Sequence, residues 1–334
     1  MAISWNTRTQ VASGSVGSWA YPNTPYYFYI YATATRSGRN ASIYLEYIVH
    51  PVDSHYNQYG GPYYEFYVDG DKKSTAHVAS VMNDVTLATY TKSLSAGDDG
   101  KFASTSVTGK WYRPDNDYEA HSGPPPRDLT ITGTVTLPDL PTYTVQFDGN
   151  GGTGTVSNLT KIDSIDLTLP SGGFTKTGYH MSAWNKGSTS GTAYVLGGTY
   201  SDNEAATFYA KWAINTYSVR FNANGGTGTM SNESFTYGVA KTLTANAFTR
   251  DGYRFIGWAI SADGEVIYTD EQSVINMTTV DNGIVDLYAV WQPSGMRVKY
   301  NGEWKDGQVF VKHNGEWKAG QVYAKDNGTW KEGT

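Results

Sequence analysis

The chain has 334 residues, a formal net charge of −6 and no cysteine. That length suits two or three domains. Disulfides, thiolate metal sites and cysteine nucleophiles are excluded, and the acidic balance argues against a nucleic-acid partner. Tyr (27), Trp (10) and Gly (37) are abundant, and Thr, Val and Tyr dominate the periodic segments, so a mainly β protein is expected. No run is long and apolar enough to span a bilayer, and Met1-Ala-Ile-Ser-Trp5 has neither the basic region nor the apolar run of a secretory signal. No Leu-Pro-x-Thr-Gly wall-sorting motif is visible at the C-terminus. Membrane insertion is therefore not expected, and synthesis is expected to leave the chain in a cytoplasm.

Residues 1–140 carry short runs bounded by Asp, Gly, Asn and Pro turns. Tyr26-Tyr-Phe-Tyr-Ile-Tyr31 and Ser42-Ile-Tyr-Leu-Glu-Tyr-Ile-Val49 flank a polar Gly-containing loop and predict a hairpin. Further strands are expected over 63–68, 77–82, 85–90, 101–112 and 129–137, and 114–128 reads as a long surface loop. The spacing predicts a β-sandwich or jelly roll.

Residues 141–213 and 214–293 then repeat one unit. Tyr143-Thr-Val-Gln-Phe147 and Asp148-Gly-Asn-Gly-Gly-Thr-Gly-Thr155 return 74 positions later as Tyr217-Ser-Val-Arg-Phe221 and Asn222-Ala-Asn-Gly-Gly-Thr-Gly-Thr229. Gly178-Tyr179 and Trp184 return as Gly252-Tyr253 and Trp258, and the copies close on Phe208-Tyr-Ala-Lys-Trp212 and Leu287-Tyr-Ala-Val-Trp291. Alternation in the first strand buries one face, and Asn-Gly-Gly supplies positive-φ residues for a tight loop. The segments reaching Trp184 and Trp258 read as a second central strand. Tandem β units of this size build reach and surface rather than a reacting centre.

Residues 294–334 have a 13-residue period: Asn301-Gly-Glu-Trp304, Asn314-Gly-Glu-Trp317 and Asn327-Gly-Thr-Trp330. Each Asn-Gly predicts a tight hairpin. One unit cannot bury a tryptophan alone, so the units are expected to stack on each other or on another copy.

The middle pair resembles the Listeria–Bacteroides repeat family in its Tyr-x-Val-x-Phe strand, Asn-Gly-Gly-Thr-Gly loop, Gly-Tyr…Trp segment and closing Tyr-Ala-x-Trp. The first copy departs from the pattern, with Ser-Ile-Asp-Leu-Thr-Leu where Phe-Thr-Tyr-Gly is usual. That resemblance implies compact β-grasp-like domains of the kind found in bacterial surface proteins, internalin-type adhesins among them, and in phage structural proteins. The tail is similar to the Asn-Gly-x-Trp-Lys repeats that finish phage tail proteins, and the first region, closing on Thr130-Ile-Thr-Gly-Thr-Val-Thr-Leu-Pro138, is similar to siphovirus minor tail or appendage proteins.

Candidate chemistry is limited. Trp304, Trp317 and Trp330 with Tyr300 and Tyr323, and the cluster Tyr56, Tyr59, Tyr63 and Tyr64, have the composition of a sugar-stacking or protein-recognition surface; the competing reading makes them packing residues of their own turns. The carboxylates Asp53, Asp98, Asp99, Asp115, Asp117 and Glu119 lie in Gly/Pro/Asn-rich loops, where acids stabilise turns more often than they form a glycosidase pair. Asp69-Gly-Asp71, Asp98-Asp-Gly100 and Asp148-Gly-Asn-Gly-Gly152 fit turns better than a calcium loop. The histidines lack ligand spacing, and Ser13-Gly-Ser-Val-Gly17 lacks the strand-to-helix setting of a nucleophile elbow.

Together these features set the expectation: a non-enzymatic phage virion protein without cofactor or metal, a tail or baseplate appendage for host attachment, assembled in the host cytoplasm. Its expected partners are other virion proteins, a host cell-surface glycan or protein, and further copies of itself in a trimer or ring. A purely structural virion part, such as a tail-tube subunit with decorating repeats or a capsid fibre, and a fragment of a bacterial cell-surface adhesin are the alternatives.

Overall fold

The computed structural model describes residues 1–17, 25–51, 63–77, 84–112 and 128–294, and the backbone of six short strands between 297 and 332. The described residues form strands and turns without a helix, so the mainly β expectation holds.

Among the described residues eight strands make the N-terminal sandwich: β1 (Thr9–Gly17), β2 (Pro25–Ser37), β3 (Asn40–Pro51), β4 (Tyr63–Val68), β5 (Asp71–His77), β6 (Val85–Ser95), β7 (Thr105–Tyr112) and β8 (Leu129–Val135). They form two four-stranded sheets, β1-β2-β3-β6 and β5-β4-β7-β8. The predicted hairpin is present with longer arms, Ser37 pairing with Asn40 across the turn. Alternation along β2 and β3 sends Phe28, Ile30, Ile43, Leu45 and Tyr47 inward, where they meet Phe66, Val107 and Trp111 of the facing sheet. Phe28 anchors this core, its ring 6.2–6.3 Å from those of Tyr47, Tyr64 and Trp111.

Each repeat is a small mixed sheet. In the first, strands β9 (Thr142–Asp148), β10 (Thr153–Gly154), β11 (Leu159–Ile162), β12 (Leu167–Thr168), β13 (Phe174–Thr175), β14 (Tyr179–Lys186), β15 (Thr192–Tyr194), β16 (Thr199–Tyr200) and β17 (Ala206–Ile214) include the sheet β11-β9-β17-β14-β15. In the second, β18 (Thr216–Asn222), β19 (Glu233–Thr236), β20 (Lys241–Thr242), β21 (Tyr253–Ala259), β22 (Ser273–Val274) and β23 (Gly283–Pro293) include the sheet β19-β18-β23-β21. First and last strands lie side by side in parallel in both copies. The expectation of a central strand at the Gly-Tyr…Trp segment holds in the first copy, where β14 lies between β17 and β15, and needs correction in the second, where β21 is an edge strand; the closing strands β17 and β23 are internal in both. Trp184 on internal β14 and Trp258 on edge strand β21 are equally buried, because both point across the sheet into the core.

The duplicated loop has the same backbone in both copies. Asn150 and Asn224 take φ of 46° and 47°, a region Asn enters more readily than most residues. A Cβ on Gly152 or Gly226 would stand 2.4 or 2.6 Å from the Trp212 or Trp291 ring. Those indoles donate into the loop, Trp212 Nε1 to the Gly149 and Asn150 carbonyls at 3.1 Å and Trp291 Nε1 to the Ala223 carbonyl at 2.8 Å.

The tail forms three hairpins from β24 (Arg297–Tyr300) with β25 (Glu303–Asp306), β26 (Phe310–His313) with β27 (Glu316–Ala319), and β28 (Tyr323–Asp326) with β29 (Thr329–Glu332). Each pairs the strand before an Asn-Gly with the strand after it, as the turn chemistry predicts.

Candidate binding surfaces and the joints between modules

The outer face of the sheet β1-β2-β3-β6 carries a tyrosine ladder. Strand period places Tyr27, Tyr29 and Tyr31 on one side of β2, with ring centroids 6.4 and 5.9 Å apart along the row. The register sets Tyr29 opposite Ile48 and Tyr31 opposite Glu46, and Tyr44 stands further along β3, 44 % exposed. Arg8 closes one end: its guanidinium lies 3.7 Å over the Tyr31 ring and its Nε donates to Glu46 at 2.6 Å. The Glu46 bond holds the Arg8 pKa above its ordinary value. At the other end His50 pairs with Asp84. Among the described residues the charges on this face are thus paired with one another, and phenol rings with Ser and Thr hydroxyls make up the rest of it.

The sequence candidates fare differently. Tyr64 is a correction: it is 2 % exposed and packs on Phe28 within the sandwich core, because the period of β4 turns it inward. Burial pushes its hydroxyl pKa far up. Tyr63, on the opposite side of β4, is half-buried. Tyr56 and Tyr59 lie outside the described residues. Tyr300, Trp304, Trp317, Tyr323 and Trp330 sit in the hairpin strands, opposite Glu303, Lys299, Lys312, Glu332 and Lys325 respectively, and their side chains lie outside the described residues. The ladder was legible as alternation in Tyr26-Tyr-Phe-Tyr-Ile-Tyr31; that pattern gave the strand, and its outward phenols are the part that sequence reasoning left unused.

Asp53, Asp115, Asp117 and Glu119 lie outside the described residues, and the described loop acids hold backbone amides or pair with cations. Asp99 accepts the Lys101 amide at 3.0 Å, Asp148 the Asn150 amide at 2.7 Å, and Asp69 the Ser106 amide at 3.0 Å while also pairing with Lys92. Partial burial raises the Asp69 pKa, but those two partners outweigh it and hold it below the usual carboxylate value. Asp98 pairs with Arg39.

Two joints link the modules. At the first, Ile162 and Ile165 pack on the sandwich core, and Asp163 Oδ1 receives Arg36 at 3.0 Å. Burial alone would raise the Asp163 pKa; hydrogen bonds from Ser164, Arg36 and Tyr143 reverse this and keep it low. At the second, Asn215 is buried between the repeats. Its amide N–H donates to Gly178 O at 2.9 Å, its carbonyl accepts Tyr237 N–H at 3.0 Å, and its side-chain NH₂ donates to Thr279 O at 2.7 Å. His180 Nδ1 lies 2.9 Å from Asn215 Oδ1 and 3.4 Å from Asp281 Oδ2.

Residues 143–211 and 217–290 match the Listeria-Bacteroides repeat domain, so the chain carries two copies of that module. Over 132 residues, 39 % of this chain and 22 % of the relative, it is 30 % identical to internalin H of Listeria monocytogenes. Over 183 residues, 52 % of this chain, it is 31 % identical to a protein of Evansella cellulosilytica named as a membrane protein. These matches span a quarter or less of each relative's length. A solved structure titled "The Bacillus anthracis TIE protein" aligns over 84 % of this chain and 62 % of its own at 11 % identity, with a TM-score of 0.29, too low to carry an argument.

Proposed function

We propose that this chain is a non-enzymatic attachment protein displayed on a surface, a tail or baseplate appendage of a phage virion. In this reading residues 1–140 dock on or project from the particle, 141–213 and 214–293 are spacers, and 294–334 forms the distal end. Copies assemble as a trimer or ring, and the aromatic surfaces meet a host cell-surface glycan or protein. The observation that carries the reading is the pair of buried, hydrogen-bonded joints: duplicated modules locked end to end hold exposed aromatic faces at a set distance. Many weak contacts on one particle then raise avidity steeply.

Similarity to internalin H favours a second reading, a segment of a bacterial cell-surface adhesin. Electron microscopy of purified virions carrying a label fused after Thr334 separates the two. The appendage reading expects label at the tail tip or baseplate; label on intact cells and none on particles would replace it with the adhesin reading.

A further inference from the structure

A cleft of about 680 Å³ opens where the two repeats meet, within the range of roughly 300–1,000 Å³ typical of small-molecule sites. We propose that it is a subsite for an acidic sugar unit, with the Lys176 ammonium taking the anionic group and the Trp212 and Tyr179 rings taking the apolar face of the sugar. The assignment rests on the attachment reading and deepens it.

Charge and shape both point to this occupant. Lys176 is half-buried, with Nζ 4.8 Å from the Tyr179 ring centroid and 5.9 Å from that of Trp212. It makes no ion pair with any described residue. A cation held over aromatic rings keeps its charge available to an anion. His180 lines the same cleft. Its Nδ1–H is committed to the Asn215 carbonyl oxygen, which leaves Nε2 to accept from a hydroxyl when the ring is neutral. The carboxylate nearest His180, Asp281, is itself bonded to the Thr216 amide and the Asn282 side chain. Thr175, Thr177 and Thr279 add hydroxyls along the walls. A flat C–H face beside ring hydroxyls and one negative group is the chemistry of an acidic sugar. An acidic peptide would use the cation and leave the two ring faces unmatched.

The fold repeats the cation-over-tyrosine pair of this platform in the second copy. Arg250, 74 positions after Lys176, lies 4.0 Å over the Tyr253 ring, next to the loop that receives the Trp291 indole. In the first copy the next repeat supplies a wall through Thr279, turning the platform into a cleft. Two cations one repeat apart suit a polymer whose negative charge recurs along its length.

The test is calorimetric and fluorescence titration of the full chain with three probes: a hyaluronan hexasaccharide, in which glucuronate alternates with N-acetylglucosamine; neutral chitohexaose; and hexaglutamate. The hyaluronan probe is expected to bind and to change tryptophan emission, and Trp212→Phe to remove that change. Lys176→Gln, at a residue without an ion pair, is expected to weaken binding about tenfold, the effect of one charge-assisted contact. Chitohexaose and hexaglutamate are expected to bind at least tenfold more weakly. No hyaluronan binding, unchanged affinity in Lys176→Gln, or equal affinity for either control overturns the site. Loss of the site leaves the attachment reading to whole-cell binding. Failed cell binding with intact probe binding overturns that reading and leaves the site standing.

Discussion

Lys161 is fully buried in the first repeat, donating to Asn203 Oδ1 at 2.9 Å and Ile162 O at 2.7 Å. Seventy-four positions on, Phe235 and Met277 hold the corresponding places and both join the apolar core. One copy therefore solves with a lysine–amide pair what the other solves with two hydrophobes. Burying a charge among neutral acceptors is costly, so an apolar replacement of similar volume loses little. Lys161→Met is expected to stay within about 1 kcal/mol of the parent. Asn203→Ala strips an acceptor from the buried ammonium and should cost about 1–3 kcal/mol. Urea unfolding, followed by hydrogen exchange in the first repeat, measures both; a larger loss for Lys161→Met would reverse the argument. The sequence pattern gave no hint of this pair, since a lysine in a short strand reads as solvent-facing.

At the scale of elements, apolar periodicity carried most of what the sequence could tell. Tyr63–Val68 was legible to both ends because turn residues bound an apolar run. Strand β5, Asp71–His77, escaped notice: Asp-Lys-Lys-Ser-Thr has little strand propensity and sits at a sheet edge, where charged residues protect against aggregation. Strand order in the repeats was also illegible, because which strand lies in the middle is decided by long-range pairing. The candidate cleft was hidden for a related reason. Lys176 and Tyr179 are neighbours in sequence, but Trp212 and Thr279 join them only through long-range pairing, and the single available signal was the return of a cation as Arg250 at the repeat offset. The loop geometry, by contrast, was readable from Asn-Gly-Gly. Gly152→Ala and Gly226→Ala each push a methyl group into an indole ring, and each should destabilise its own repeat by about 1–3 kcal/mol. Equal stability of parent and variant in thermal unfolding would contradict the packing described for that loop.

The whole molecule depends on its joints. The Asp163 pKa is held below its unfolded value. Its stabilising contribution is therefore present above an unfolded pKa of about 3.9 and is lost as pH falls through the lower folded value. The joint between sandwich and first repeat should loosen below about pH 4, and Asp163→Asn should loosen it already at pH 7, by about 1 kcal/mol. Spin-label distances between the sandwich and the first repeat report this: a spread that widens in acid for the parent and is wide at every pH for the variant is expected. Unchanged spread in both would mean that the apolar contacts of Ile162 and Ile165 hold the joint alone.

The central claim is that locked modules hold aromatic surfaces out to a cell surface and catalyse nothing. It is tested most directly by incubating the purified chain with intact cells of the bacterium from which the gene or its phage derives, measuring saturable binding together with the chain length of the released and retained wall glycan. The account predicts saturable binding and glycan of unaltered length. Absence of saturable binding, or progressive shortening of the glycan, would contradict it.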